Sequence, residues 1–398
     1  EFFKQKGGRN NGGPSVIGEA VLFINKGPAP WALKPLEYGY TVALATKTKG
    51  SRQASKARSN HYGVHKRFPL VRNCKLQLTV PFVKYKMQFM GIIHPTSSAD
   101  LGQPSFSAVL ELFKPITWFP PMWAFACGVV ASGVSVSDHW LLAVIGIALA
   151  GPMVCATSQA VNDWFDRHVD AINEPNRPIP SGRIPGRWGL YIALGWTLVS
   201  LLVATALGPW GFGAAALGLL LAWAYSMPPI RLKQNGWLGN AACGLSYEGL
   251  AWITGAAVMA GGAFPETRSV VLALLYSLGA HGIMTLNDFK SIKGDSLMGV
   301  RSLPVQLGPQ RAALTACLVM ALPQVAVLSL LGLWQLPLHA LGVFGLLLAQ
   351  FGLMAWFLKK PVDRALYYSG FGVPLFVLGM MVSAFGLRSL QATAGLGG

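Results

Sequence analysis

Apolar runs long enough to cross a lipid bilayer recur from Ile116 almost to the end of this chain, and they leave few folds open. A hydrocarbon layer roughly 30 Å thick needs about 17 to 25 mostly apolar residues per helical crossing. Nine stretches meet that length, over 116–134, 140–161, 188–207, 210–226, 238–259, 269–287, 313–333, 337–357 and 366–386. Peptide groups in hydrocarbon must be paired within the chain, which favours helices. The expected fold class is therefore all-α, a polytopic membrane protein of about nine transmembrane helices. Hydrophobic residues make up 53% of the 398 and charged residues only 12%, a balance that excludes an ordinary soluble enzyme of this size.

Charge placement tests the count of spans, because Lys and Arg collect in cytoplasmic loops. With residue 115 inside, the inner loops hold Arg167, Arg177, Arg183, Arg187, Arg231, Lys233, Lys290, Lys293, Arg301, Arg311, Lys359, Lys360 and Arg364, while the outer loops between helices hold Arg268 alone. A shifted count scrambles this division. The five cysteines form no CxxC pair, so they suggest neither a disulfide framework nor a zinc site.

Residues 1–107 differ in kind and are expected to form a basic N-terminal extension of irregular structure, with the membrane domain over 108–398. The first hundred residues carry sixteen of the 32 Lys and Arg and no run able to span a bilayer. The composition fits a membrane-surface or targeting segment, or a stretch upstream of the natural start, for which Met87 and Met90 are placed as initiators. No nucleic-acid-binding motif accompanies the basic residues.

The chemistry concentrates where spans end. After the second span comes "VNDWFDRHVDAINEPNRPIPSG", and a helix continuing past the membrane face puts Asn162, Asp163, Asp166 and Asp170 within about a 100° arc. Four oxygen-bearing side chains on one face, not alternating with Lys or Arg, repel unless something positive lies between them. Mg²⁺ suits such a set, since it takes one or two carboxylates together with phosphate oxygens and water. The same face receives "LNDFKSIKGD" at the end of the sixth span, where Asp288 and Asp295 are two helical turns apart and expected to project from one side. Arg177, Lys290 and the loop "YSMPPIRLKQNG", with Tyr225, Arg231 and Lys233, supply groups suited to phosphate. Acids, metal, diphosphate and cations balance in charge, and a lipid-linked diphosphate meets the requirement of a head at the membrane face and a tail among the spans. A solvated acidic loop is the alternative. A cation transporter is a rival from another class, but transport acids belong near the bilayer midplane rather than at one face.

These stretches resemble the UbiA-type intramembrane prenyltransferases. "NDWFDRHVDAINEPNRPIPSG" matches the first aspartate motif of that family and "NDFKSIKGD" stands at its second, with a likeness running over about 108–386. "KPITWFPPMWAFACG", "INEPNRPIPSG" and "YSMPPIRLKQNGWLGN" are similar to the chlorophyll and bacteriochlorophyll synthase branch, and "WFPPMWA" with "LSYEGLAW" incline toward its bacteriochlorophyll members. Many relatives carry acids four apart in the second motif, whereas Asp288 and Asp295 here are seven apart.

The resemblance implies Mg²⁺-dependent esterification of a (bacterio)chlorophyllide propionate with geranylgeranyl or phytyl diphosphate, in a bacterial inner or photosynthetic membrane, or a thylakoid if the chain is plastidic. Its active site is expected on the cytoplasmic side. It leaves a quinone precursor or haem as alternative acceptors. Asn162, Asp163, Asp166, Asp170, Asp288 and Asp295 are the expected metal ligands, with Asp163, Asp166 and Asp288 central to catalysis. Arg177, Arg231, Lys233, Lys290 and Tyr225 are expected at the diphosphate. An acceptor carboxyl with a pKa near about 4 to 5 is already ionised at neutral pH, so no general base is required. Glu248, Tyr247 and His281, polar groups inside spans, are second-rank candidates for pigment or substrate contact, because such groups usually face a cavity or a partner. His168 is expected to be solvated, away from the acid arc.

Overall fold

The computed structural model describes residues 102–395. The basic extension expected over 1–107 lies outside the described residues as far as residue 101, and Met87 and Met90 lie outside them as well. All regular structure among the described residues is helical apart from one isolated bridge between Asn235 and Arg301. The α-helices are α1 (Phe106–Leu112), α2 (Phe119–Ala131), α3 (Trp140–Ala148), α4 (Ala156–Asn173), α5 (Trp188–Ala204), α6 (Gly208–Ser226), α7 (Gly236–Gly244) and α8 (Ala251–Met259). They continue with α9 (Thr267–Asp288), α10 (Ile292–Met298), α11 (Leu303–Leu307), α12 (Pro309–Leu333), α13 (Pro337–Lys359) and α14 (Pro361–Gly395).

Six helical segments among the described residues are long and apolar enough to cross a membrane: Trp140–Ala171, Trp188–Ser226, Thr267–Asp288, Pro309–Leu333, Pro337–Lys359 and Pro361–Ala392. Two of the expected spans fall within Trp188–Ser226, where a 3-10 turn at Thr205–Leu207 and Gly208 at φ 72° separate α5 from α6. Trp223 Nε1 donates to Thr197 Oγ1 at 3.1 Å, tying the two helices into a hairpin. The first expected span is the 13-residue α2, and the fifth is α7 and α8 joined through a π-helical segment. The bundle turns its apolar side chains outward as well as inward: Leu198, Leu202, Leu220, Leu338, Leu341 and Leu366 are all exposed, as lipid-facing positions must be.

Two of the long segments are not regular. Between α3 and α4 the chain runs as a π-helix over Leu149–Cys155, with Pro152 inside it. Proline removes a backbone donor and obstructs the carbonyl one turn back, which a wider turn relieves. The carbonyls loosened there find partners: Trp196 Nε1 donates to Pro152 O at 2.8 Å, Thr157 Oγ1 to Met153 O at 2.8 Å and Ser158 Oγ to Cys155 O at 2.8 Å. A second π-segment, Leu245–Leu250, joins α7 to α8, and Thr254 Oγ1 donates to Leu250 O at 2.6 Å.

Close packing sits at α9, which contacts α7, α12 and α14 and has 61% of its most apolar window buried, against 22% for Trp188–Ser226. Small residues bring the helices together. A Cβ on Gly128 would lie 2.0 Å from the Trp252 carbonyl oxygen, and one on Gly255 2.4 Å from the Phe125 carbonyl oxygen, so α2 and α8 touch backbone to backbone. Polar pairs add orientation where apolar contact with lipid is as good as contact with protein. Gln324 Nε2 donates to Gln350 Oε1 at 2.7 Å, and Tyr276 shares a hydrogen bond with Ser383 at 2.8 Å.

Gly128→Val is expected to cost more than the roughly 1–3 kcal/mol typical of overpacking, because the obstructing atoms are backbone. Thermal unfolding in detergent checks this: the midpoint should fall clearly for Gly128→Val and stay near wild type for Gly195→Val, whose Cβ meets nothing within 4 Å.

Candidate active site

A cavity of about 970 Å³ opens at the end of the bundle where α4 and α9 terminate. One part of its wall is polar: Lys114, Asn162, Asp166, Asp170, Glu174, Arg177, Tyr225, Arg231, Lys233, Asn287, Asp288, Lys290 and Asp295 all line it. The deeper wall is mostly apolar, with Pro121, Phe125, Leu149, Val154, Leu221 and Leu250 among its residues, and is interrupted by Ser158, Gln159, Ser246 and Tyr247. The chamber thus has the character of an amphiphile.

The ladder on α4 forms as its spacing predicts, with Asn162, Asp166 and Asp170 facing the cavity on successive turns. Asp163 does not line the cavity. It is 2% exposed and lies behind Lys114. Cations from other segments pair with the first-motif acids. Lys114 Nζ donates to Asp163 Oδ1 at 2.6 Å, and Arg177 Nη1 donates to Asp170 Oδ2 at 2.8 Å and lies 3.6 Å from Asp163 Oδ1. Arg231 Nη2 donates to Asp166 Oδ1 at 3.1 Å, and Lys233 Nζ donates to the other oxygen of the same carboxylate.

The second motif is also built differently from expectation. Asp288 and Asp295 do not share one continuous helix: α9 stops at Asp288, Phe289–Ser291 turn, and α10 starts at Ile292. The turn shortens the path, so both acids still line the cavity. Asp288 accepts from Asn240 Nδ2 at 3.4 Å and Asp295 from Ser291 Oγ at 3.0 Å. The loop after α6 is held to the loop after α10 through Gly236 N donating to Arg301 O at 2.8 Å and Arg301 N to Gln234 O at 3.0 Å. That clasp brings Arg231 and Lys233 between the two acid-bearing ends.

Local backbone and electrostatics mark the cations. Lys114 at φ 47° and Arg231 at φ 38° are two of the three non-glycine residues with positive φ among the described residues, a conformation that costs roughly 1–2 kcal/mol each. Both cations point at first-motif acids, so the strain is concentrated at the site. Burial pushes the Lys233 pKa down, with the Asp166 charge pulling back. Burial opposes the charge of Arg177 too, but Asp163 and Asp170 together outweigh it and raise its pKa. Burial raises the Asp295 carboxyl, tempered by the hydrogen bond from Ser291.

Among the second-rank candidates, Tyr247 lines the cavity, while Glu248 and His281 are buried outside its lining. His281 packs against Trp237 with ring centroids 5.5 Å apart. His168 is exposed on α4. Sequence reasoning missed Lys114, Asn240, Ser158, Gln159 and Ser246. Lys114 had one available signal, a lone cation just before the first apolar run. The others are neutral polar residues whose role depends on which helix faces them.

Among the described residues no three His, Cys, Asp or Glu side chains are gathered as a metal cluster, since the ion pairs hold the acids apart. The donor chemistry still fits a hard divalent cation. Asn162, Asp166, Asp170, Asp288 and Asp295 bring amide and carboxylate oxygens to one cavity wall, the donors such an ion takes.

Fold and chamber together define an all-helical integral membrane protein with a single-ended amphiphilic cavity. The chain belongs to the UbiA prenyltransferase family, whose sequence pattern matches residues 118–385. It is 56% identical over 299 residues to the bacteriochlorophyll synthase 33 kDa chain of Cereibacter sphaeroides, covering 75% of this chain and 97% of that relative. It is 39% identical over 288 residues to the chloroplastic chlorophyll synthase of Oryza sativa, covering 69% and 75%. A solved digeranylgeranylglyceryl phosphate synthase structure superimposes with a TM-score of 0.55 at 21% identity, covering 70% of this chain and 98% of that one, which establishes a shared fold.

Lys114→Met leaves the buried Asp163 with only the longer Arg177 contact. Lys114 is 23% exposed, so the loss falls between the exposed and buried limits for ion pairs, roughly 1–3 kcal/mol. Detergent unfolding is expected to show the drop, and the double variant Lys114→Met with Asp163→Asn should regain much of it.

Proposed function

We propose that this chain esterifies the propionate carboxylate of bacteriochlorophyllide a with geranylgeranyl or phytyl diphosphate, releasing diphosphate. The observation that carries the reading is the two-part cavity: acids from two helix ends and cations from several segments face one opening, and the deeper wall is mostly apolar. A diphosphate head matches the first part and an isoprenoid tail the second. The choice of acceptor is supported by the likeness to the bacteriochlorophyll synthase 33 kDa chain, 56% identical against 39% for the chloroplastic chlorophyll synthase.

In this reading Asn162, Asp166, Asp170, Asp288 and Asp295 would hold Mg²⁺ at the cavity wall, with Asp163 behind them keeping Lys114 and Arg177 in place. When bound, Mg²⁺ would supply Lewis acidity to the leaving diphosphate. Arg177, Arg231 and Lys233, paired with Asp170 and Asp166, are within the same mouth and would stabilise the phosphate oxygens, with Lys290 and Tyr225 on the same lining. The acceptor carboxylate forms a bond to the allylic carbon while the carbon to oxygen bond of the diphosphate breaks, and the leaving group takes the electron pair. No proton need move, because a carboxylate acceptor is already ionised at neutral pH. The apolar wall excludes water that would otherwise compete for the allylic carbon.

The concentration of Lys and Arg at this end supports placing the site on the cytoplasmic side of a pigment-synthesising membrane. Residues 1–107 are read as an extension separate from the transferase domain at 108–398.

The deciding experiment supplies purified protein and Mg²⁺ with geranylgeranyl diphosphate and one acceptor at a time. Ester formation is expected with bacteriochlorophyllide a, more slowly with chlorophyllide, and no prenylation with 4-hydroxybenzoate; prenylation of the aromatic acid alone overturns the reading. Asp166→Asn and Asp288→Asn are each expected to lower kcat at least 10²-fold, and chelation of divalent metal to stop turnover reversibly. Near-normal rates for both variants at low Mg²⁺ contradict the metal assignment.

A further inference from the structure

One helical turn below the metal ladder, the cavity carries a second polar group of a different kind. Ser158 and Gln159 precede Asn162 on α4 by four and three residues, which places them about 5–6 Å deeper along the helix axis. Across from them, in the π-segment joining α7 to α8, are Ser246 and Tyr247. All four line the cavity.

Tyr247 OH is the hub of this group. Ser158 Oγ lies 3.2 Å from it, Gln159 Nε2 3.5 Å and Cys155 Sγ 3.4 Å. Ser158 donates its own hydrogen to Cys155 O at 2.8 Å, so toward Tyr247 it accepts, and the tyrosine hydroxyl donates to it. Gln159 makes one long hydrogen bond, which leaves the second N–H of its amide for the chamber. Ser246 Oγ is buried and has no partner. A clamp between α4 and the α7–α8 segment needs one good hydrogen bond; this wall holds an unmatched hydroxyl and an under-used amide as well.

We propose that Tyr247, Gln159 and Ser246 form the seat of the acceptor carboxylate, with Ser158 as the residue that orients the Tyr247 hydroxyl. The inference rests on the prenyl-transfer reading above and assigns the second substrate a place within the same cavity. Three features carry it. The seat lies just below the diphosphate end, at the depth where the first carbon of the tail leaves the phosphate. Its donors are neutral. A carboxylate held by hydroxyl and amide hydrogens stays a better nucleophile than one held by a full Lys or Arg pair, and in the prenyl-transfer reading the cations at the mouth serve the diphosphate. Finally, the seat requires little rearrangement, since the Tyr247 hydroxyl needs only to rotate from Ser158 Oγ to the incoming oxygen. In the step itself the carboxylate oxygen bonds to the allylic carbon, the diphosphate departs with its electron pair, and the three donors release the neutral ester they now hold weakly.

Tyr247→Phe keeps the ring and removes the hydroxyl. With bacteriochlorophyllide a and geranylgeranyl diphosphate varied in turn, the expected result is an acceptor KM raised about tenfold or more while the KM for the diphosphate stays within about twofold. The methyl ester of the acceptor, used as a competitor, should bind wild type far more weakly than the acid, and this gap should narrow in Tyr247→Phe and in Gln159→Leu. Ser158→Ala should raise the acceptor KM less than Tyr247→Phe does. Two constants that rise together, or an acid-to-ester gap unchanged in both variants, overturn the proposal and leave the cluster as an interhelical clamp. Wild-type protein that forms no ester with any carboxylic acceptor overturns the transferase reading itself.

Discussion

The site is organised by the neutralisation of acids that the chain places where water is scarce. Asp163 is 2% exposed, and an unpaired carboxylate in so dry a place is costly. Lys114 from the loop before α2 and Arg177 from the loop after α4 meet it, and Arg231 with Lys233 from the loop after α6 meet Asp166. The Lys114, Arg231 and Lys233 pairs join segments some fifty residues or more apart and hold the open end of the bundle together. They also make the acids and the cations of the cavity mouth one connected network: a ligand that satisfies the acids would set the cations free, and the reverse holds equally.

The membrane-embedded part of the protein supplies the rest by irregularity. Both π-segments border the chamber, one with Leu149, Ala150 and Val154, the other with Ser246, Tyr247 and Leu250 in its wall. Away from these the packing is tight and regular, with glycines at the contact between α2 and α8 and glutamine pairs between α12 and α13.

The sequence revealed most of the helical plan because a membrane leaves only length and apolarity to read, and both are local properties. The acid ladder was legible for the same reason, since Asn162, Asp166 and Asp170 need only helical periodicity to share a face. Reasoning along the chain failed where the third dimension decided. It treated Asp288 and Asp295 as one helical stripe, but the turn at Phe289–Ser291 re-aims the second acid. It could not see that Lys114, some fifty residues before Asp163, closes onto it, and it ranked Glu248 and His281 beside Tyr247 although only Tyr247 reaches the chamber. Ser158, Gln159 and Ser246 are invisible from sequence, because neutral polar residues in a span gain meaning only from what lies opposite.

The widened turn at Leu149–Cys155 has a bearing on how such a protein can vary. A π-segment holds about one residue more than an α-helical turn, so it resets the angular phase of everything downstream by roughly 100°. The catalytic face of α4 is consequently aimed independently of the lipid-facing stripe of α3, and a deletion of one residue there rotates the acids toward a neighbouring helix without altering a single ligand. The azimuth of the chemistry is stored in a defect of the helix, several residues away from any group that performs it.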